Sequence, residues 1–186
     1  CKKVMDTLAV HESRTLSVIL KKMMHESDNQ TAEVLIRTLG LKGYQIGSAK
    51  YGIKSIKGFL FDRVKIDTSS LRMADGSGLS RYNLLNVHQV INLLSYMNHS
   101  PQNETFKNSL PNGGKKGSRL ENRMISPGEK IKAKTGSLSG ISSLSGYINS
   151  KSLGPLAFSI IINGYIGSSD PYHILQDEIC EILANY

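Results

Sequence analysis

The sequence predicts an α+β fold, with helices gathered in the first two thirds of the chain and an antiparallel sheet towards its end. Three observations predict it. Apolar residues recur at helical spacing in several stretches before residue 100. Three strand-like stretches follow Glu129, joined by short connections rich in Gly and Ser. A segment opened by Asp170-Pro171 and carrying a periodic apolar face ends the chain.

The elements follow in order. Thr7 to His11 is short and apolar, strand-like or irregular. Ser17 to Met24 reads as a helix, with Val18, Ile19, Leu20, Met23 and Met24 apolar and Ser13 or Thr15 available as a cap. Ser27-Asp28-Asn29 interrupts it, because short polar side chains bond their own backbone and favour turns and caps. A second helix runs from about Gln30 to Leu39 on the spacing of Ala32, Leu35, Ile36 and Leu39, and Gly40 is expected to stop it. Ser48 to Asp62 reads as a third, interrupted by Gly52 and Gly58. Asp75-Gly76-Ser77-Gly78-Leu79-Ser80 is a loop. Asn86 and Gln89 form a capping-box pattern for a helix through Asn98. A short helix is expected near Glu104 to Leu110, and another from Ser118 to Met124 after the Gly113–Gly117 turn.

Strands are expected at Lys130 to Thr135, Ile141 to Asn149 and Leu156 to Asn163. Asp170 caps the closing helix, whose apolar face is Ile174, Leu175, Ile179, Ile182 and Leu183. The third strand is apolar on both faces: Phe158, Ile160 and Ile162 on one, Ala157 and Ile161 on the other. That pattern suits a strand central to its sheet. In a three-strand meander it is an edge, so strands that pair with it are expected to be missing from this chain.

Length and composition narrow the class. The 186 residues suffice for one domain, and 39% hydrophobic with 20% charged residues is a folding composition. No apolar run approaches the roughly 20 residues a membrane helix needs. The chain opens at Cys1 with no initiator Met and no visible signal peptide, which is expected of a trimmed or partial chain. The net charge of +8 fits a solvated lysine surface or attraction to a polyanion such as nucleic acid or an anionic cell wall. The lysines are scattered and not interleaved with aromatics, which disfavours nucleic acid. Cys1 and Cys180 lack metal-ligand spacing; a disulfide between them is compatible with the sequence. His11, His25, His88, His99 and His173 are unclustered and show no metal spacing.

Two motifs carry chemistry. Ser27-Asp28-Asn29 puts a hydroxyl and an amide on a tight inter-helix turn, and Lys134-Thr135-Gly136 ends an alternating strand. Acyl transfer from a peptide needs a nucleophile, a proton relay, an oxyanion hole and a grip on the substrate. Ser27 suits the relay, since a hydroxyl both donates and accepts. Asn29 suits a grip on the substrate amide. Lys134 supplies positive potential for a carboxylate and lowers nearby pKa values. Thr135 and Ser137 share a strand face and offer hydroxyls to that carboxylate. Gly136 admits a close substrate backbone, and the Ser137 N–H suits an oxyanion hole. Either motif alone is usually only a cap or a strand end; their order and contexts give the pair its weight.

These motifs are two of the three signatures of penicillin-binding enzymes and serine β-lactamases. The third, Ser-x-x-Lys, carries the nucleophile, and no serine of the chain has a lysine three residues on. The chain resembles the C-terminal part of a D-alanyl-D-alanine carboxypeptidase/endopeptidase of the low-molecular-mass penicillin-binding type, with an insert after the nucleophile motif. The resemblance covers nearly the whole chain. It is carried by His25-Glu26-Ser27-Asp28-Asn29, Asp75-Gly76-Ser77-Gly78-Leu79-Ser80-Arg81, Ser109-Leu110-Pro111, Lys132-Ala133-Lys134-Thr135-Gly136-Ser137-Leu138, Gly146-Tyr147 and Asn163-Gly164-Tyr165.

The resemblance implies residues 1–186 as the C-terminal portion of one transpeptidase-like domain, helical over about 15–125 and a strand meander with closing helix over about 129–186. The first strands and nucleophile helix then lie upstream. It implies cleavage of peptidoglycan stem peptides through a serine acyl-enzyme, acylation by β-lactams, no metal or other cofactor, and a periplasmic or extracytoplasmic location compatible with peripheral membrane association. The roles of Ser27, Asn29, Lys134, Thr135, Gly136 and Ser137 match the family's. The Asp75 loop reads as structural. Two alternatives stay open: a β-lactamase-like hydrolase, whose base Glu104 and Asn108 mimic in spacing only, and a non-catalytic fragment that binds cell-wall peptide.

Overall fold

A computed structural model describes residues 8–186. Cys1 lies outside them, and so does any disulfide between Cys1 and Cys180. Residues 8–15 are irregular and exposed. Five helices then precede the sheet: α1 (Leu16–Glu26), α2 (Asn29–Tyr44), α3 (Ala49–Asp62), α4 (Val87–His99) and α5 (Asn103–Ser109). Strands β1 (Ile131–Leu138), β2 (Ile141–Ser150) and β3 (Gly154–Asn163) form an antiparallel meander in the order β1-β2-β3, and α6 (Asp170–Asn185) closes the chain. The α+β class is as the sequence predicts.

The sheet is covered on both faces. Leu144 and Ile148 of β2, with Ile131 and Ala133 of β1 and Phe158 of β3, pack against Cys180 and Ala184 of α6. Tyr147, on the opposite face of β2, packs with Leu94 of α4, Leu110, and Phe106 of α5. Its hydroxyl donates to Leu94 C=O at 2.7 Å, and burial pushes its pKa up to about 12. Period-two alternation on one strand thus serves two cores. Gly146 permits the β1–β2 approach, since a Cβ there would meet Lys132 C=O at 2.1 Å. The outer edge of β3 has no partner strand among the described residues.

The Asn86–Gln89 capping box forms reciprocally, with both bonds 3.0 Å. Three expectations change. Gly40 does not stop α2, which runs on to Tyr44. Gly40 and Gly52 instead mark where α2 and α3 cross closely: a Cβ on Gly40 would lie 2.9 Å from Gly52 N, and one on Gly52 would lie 1.9 Å from Ile36 C=O. Residues 118–124 form turns rather than a helix. The carbonyls of Leu120 and Arg123 accept from Gly114 N–H, and the side chains of Leu120 and Met124 fill the core.

The closing helix is the third. Asp170 is its first residue rather than its cap, Ser169 holds the cap position, and the Ser168 hydroxyl accepts from Asp170 N–H at 3.1 Å. Its buried face is also rotated from the expected one. Gln176, Cys180 and Ala184 are buried, while Ile174, Leu175 and Ile182 are exposed. The buried Gln176 is partnered at both polar atoms: its Oε1 accepts from Arg123 Nη2 at 3.0 Å, and its Nε2 donates to Ser142 at 3.2 Å. Arg123 also clamps Asp177 through Nε and Nη2. That network satisfies the polar end of the buried face, while Cys180 and Ala184 fill the core and Leu183, from the expected face, packs against it.

Candidate active site

The cleft begins at the turn between α1 and α2. Ser27 ends α1 with φ 56° and ψ 49°, the left-handed region, and its N–H returns to Met23 C=O. A non-glycine residue there costs about 1 kcal/mol, and such strain gathers at functional sites. Asp28 caps α2: its carboxylate accepts from Gln30 N–H at 3.0 Å and Thr31 N–H at 3.3 Å. The Thr31 hydroxyl and N–H hold its pKa below the ordinary value. The triplet therefore divides its labour. Asp28 fixes the turn, leaving Ser27 and Asn29 to line the cleft on either side.

The facing wall is β1, the edge of the sheet. Ala133 N–H donates outward to Pro111 C=O at 3.0 Å, and Ile131 C=O accepts from Gly113 N–H. Backbone groups of alternate strand residues face the same edge, so those of Thr135 and Ser137 face outward in turn. Thr135 C=O accepts from Lys134 Nζ at 2.7 Å. Lys134 Nζ also donates to Ser27 Oγ, joining the two walls. Burial, and then the charge of Arg119, lowers the Lys134 pKa to about 8.

Between the walls lies a cleft of about 700 Å³. All six expected residues line it: Ser27, Asn29, Lys134, Thr135, Gly136 and Ser137. So do Ser77 and Arg81, from the loop expected to be structural, with Leu84, Leu85 and Arg119. Arg119 carries no sequence signal for the site, since it sits in a turn where no periodicity or motif marks it.

The Asp75 loop is bound from within. Burial works against the charge on Asp75, but bonds from Asn83 Nδ2 at 2.9 Å, Gly78 N–H at 2.7 Å and Ser80 N–H at 2.8 Å outweigh it and lower the pKa. Glu33 of α2 accepts from Gly76 and Ser77 N–H, and Arg81 donates to Ser139 C=O at the β1–β2 hairpin. Asp75 is thus a loop anchor, and Ser77 is carried into the cleft wall. Glu104 and Asn108 line no part of the cleft; Asn108 accepts from Lys132 Nζ at 2.7 Å.

This arrangement has relatives. A D-alanyl-D-alanine carboxypeptidase of Actinomadura sp. (strain R39) is 38% identical over 187 residues, covering 97% of this chain and 34% of that protein. The D-alanyl-D-alanine carboxypeptidase DacB of Haemophilus influenzae is 35% identical, over 85% of this chain and 34% of its own length. The chain therefore spans about a third of these curated relatives. A crystal structure of penicillin binding protein 4 (dacB) from Haemophilus influenzae superposes with a TM-score of 0.81 at 30% identity, covering 91% of this chain and 40% of that one. The TLA-3 extended-spectrum β-lactamase, at 16% identity and a TM-score of 0.69, shares the fold. The model of the D-Ala-D-Ala carboxypeptidase 3 (S13) family matches residues 2–186. Cleft, motifs and match agree, and the chain belongs to the D-Ala-D-Ala carboxypeptidase 3 (S13) family, with a penicillin-binding fold.

Proposed function

We propose that this chain forms the substrate-gripping walls of a serine-type D-Ala-D-Ala carboxypeptidase/endopeptidase that acts on peptidoglycan stem peptides outside the cytoplasmic membrane. The observation that carries the reading is the Lys134–Ser27 hydrogen bond across the cleft, beside the outward edge of β1 at Thr135 to Ser137.

The substrate lies along that edge as an added strand. Its terminal carboxylate meets the Lys134 ammonium and the hydroxyls of Thr135 and Ser137. Gly136 carries no side chain to obstruct its backbone. Asn29 holds the acyl-side amide. A serine hydroxyl attacks the penultimate D-Ala carbonyl, giving its proton to the lysine of its own Ser-x-x-Lys, and the oxyanion that forms is held by the Ser137 N–H. Collapse breaks the C–N bond, and the departing D-Ala nitrogen takes its proton through Ser27 Oγ, which Lys134 supports. Water then hydrolyses the ester. No Ser-x-x-Lys lies in these 186 residues, so the attacking serine comes from outside them and the chain alone is inactive. β-Lactams acylate the same serine, because their ring carbonyl and carboxylate occupy the same grips. The Haemophilus influenzae protein has also been crystallised in complex with a β-lactam.

The test is release of D-Ala from a stem pentapeptide by a longer gene product that carries this chain and the attacking serine, compared with the Lys134→Ala variant of that same protein. A loss of about 10²-fold or more supports the reading. Equal turnover by both removes Lys134 from the site.

A further inference from the structure

Away from the cleft, four cations share one open concavity of about 440 Å³. Lys50, Lys54 and Lys57 stand on α3 at i, i+4 and i+7 and so share one helix face. At 1.5 Å rise per residue their row is about 10 Å long. Arg72 adds a fourth charge, and Tyr82, with 80% of its surface exposed, forms another wall. No carboxylate lines the concavity, and none of the four cations makes an ion pair among the described residues.

Three of the ammoniums are held without being neutralised, Lys50 Nζ lying 6.0 Å from the Tyr51 ring centroid. Lys54 Nζ lies 4.8 Å from the Tyr44 ring centroid, a cation–π contact that leaves the charge in place. Lys57 Nζ donates to Leu71 C=O at 2.6 Å, which fixes one donor and leaves two. Like charges at i, i+4 repel, and an anion entering between them relieves that repulsion. A chain with a net charge of +8 adds a favourable field around the concavity.

We propose that this concavity is a second binding site, for the phosphodiester backbone of a linear anionic polymer. A row about 10 Å long engages more than one charge of such a polymer, whereas a single small anion meets only part of it. The exposed Tyr82 ring offers an apolar face to the carbons between successive phosphates. Residues 72–85 separate the two sites: Arg72 and Tyr82 face the concavity, while Ser77, Arg81 and Leu85 line the cleft. The site would hold the protein on a wall polymer while the cleft acts. It does not depend on the catalytic reading of the cleft.

Poly(glycerol phosphate) titrated at several salt concentrations into a longer gene product, which carries both this chain and a Ser-x-x-Lys serine, tests this. The variant is Lys50→Gln, Lys54→Gln and Arg72→Gln together, all exposed positions; Lys57 is left to bond Leu71. A control removes the same charge elsewhere, with Lys116→Gln, Lys130→Gln and Lys151→Gln, also exposed. The concavity variant is expected to bind about tenfold more weakly or worse, with the slope of log affinity against log salt shallower by about two. The control keeps most of the affinity, and all three proteins keep the same melting temperature and the same reaction with labelled penicillin. Equal binding by the concavity variant, or an equal loss in the control, overturns the proposal. Tighter binding of an oligonucleotide of equal charge overturns the assigned polymer class. Failure of penicillin labelling in all three proteins counts against the cleft reading alone, since the polymer titration is read separately.

Discussion

The Lys134 ammonium donates to the Ser27 hydroxyl, a contact between residues 107 positions apart in the chain. It ties the strained turn ahead of α2 to the sheet edge, and on the proposed mechanism it carries the proton route. In a longer gene product that also carries the attacking serine, Ser27→Ala and Lys134→Ala are each expected to lower D-Ala release by about 10²–10³-fold. The double variant is expected to lose little more than the worse single one, because groups acting as a unit are not additive. Steady-state kinetics on the four proteins checks this, and multiplicative losses would show that the two act separately.

Affinity for a carboxylate ligand is expected to fall as pH rises through about 8, where Lys134 loses its charge. Stability moves the opposite way. Between about 8 and the ordinary 10.5 the unfolded chain binds a proton that the folded chain does not, so the Lys134 contribution makes the protein more stable with rising pH across that window. Arg119→Gln should move the affinity midpoint upward by removing the second cause of the depression. Titration of a D-Ala-D-Ala peptide from pH 6 to 10 reads both midpoints, and an unchanged midpoint in the variant removes Arg119 from the account.

Arg123→Ala is expected to destabilise the fold by about 3 kcal/mol, since it strands the half-buried Asp177 carboxylate and the buried Gln176. Denaturant unfolding measures it. A change under 1 kcal/mol would mean that water replaces the guanidinium at α6.

Two glycines of α3 should respond with opposite signs. Gly52→Ala forces a Cβ onto the Ile36 carbonyl and should cost about 1–3 kcal/mol. Gly58→Ala meets nothing within 4 Å and should stabilise by roughly 0.5–1 kcal/mol through helix propensity. Thermal unfolding of the pair separates close helix packing from propensity.

These glycines also show what the sequence conceals. Gly40 looks like a helix stop because nothing local says that another helix needs the space above it; Gly52 supplies that reason from the next helix. The rotation of α6 is hidden likewise. Ile174, Leu175 and Ile182 make the stronger apolar stripe, yet Gln176 is buried and bonded to Arg123 and Ser142. Local patterns did reveal the Asn86–Gln89 capping box, the three strands and the turn at Ser27–Asn29, because each is written within a few residues. The six residues of the candidate site were legible as two motifs. Their meeting in one cleft, with Arg119 between them, is a product of the tertiary fold.

The most direct measurement is labelling with a fluorescent penicillin followed by peptide mapping, on the 186-residue chain and on a longer gene product that carries it. The account predicts no adduct on any of these 186 residues, and an adduct on a Ser-x-x-Lys serine of the longer protein that is lost with Lys134→Ala. A penicilloyl group on Ser27, or on any other serine of this chain, would contradict it.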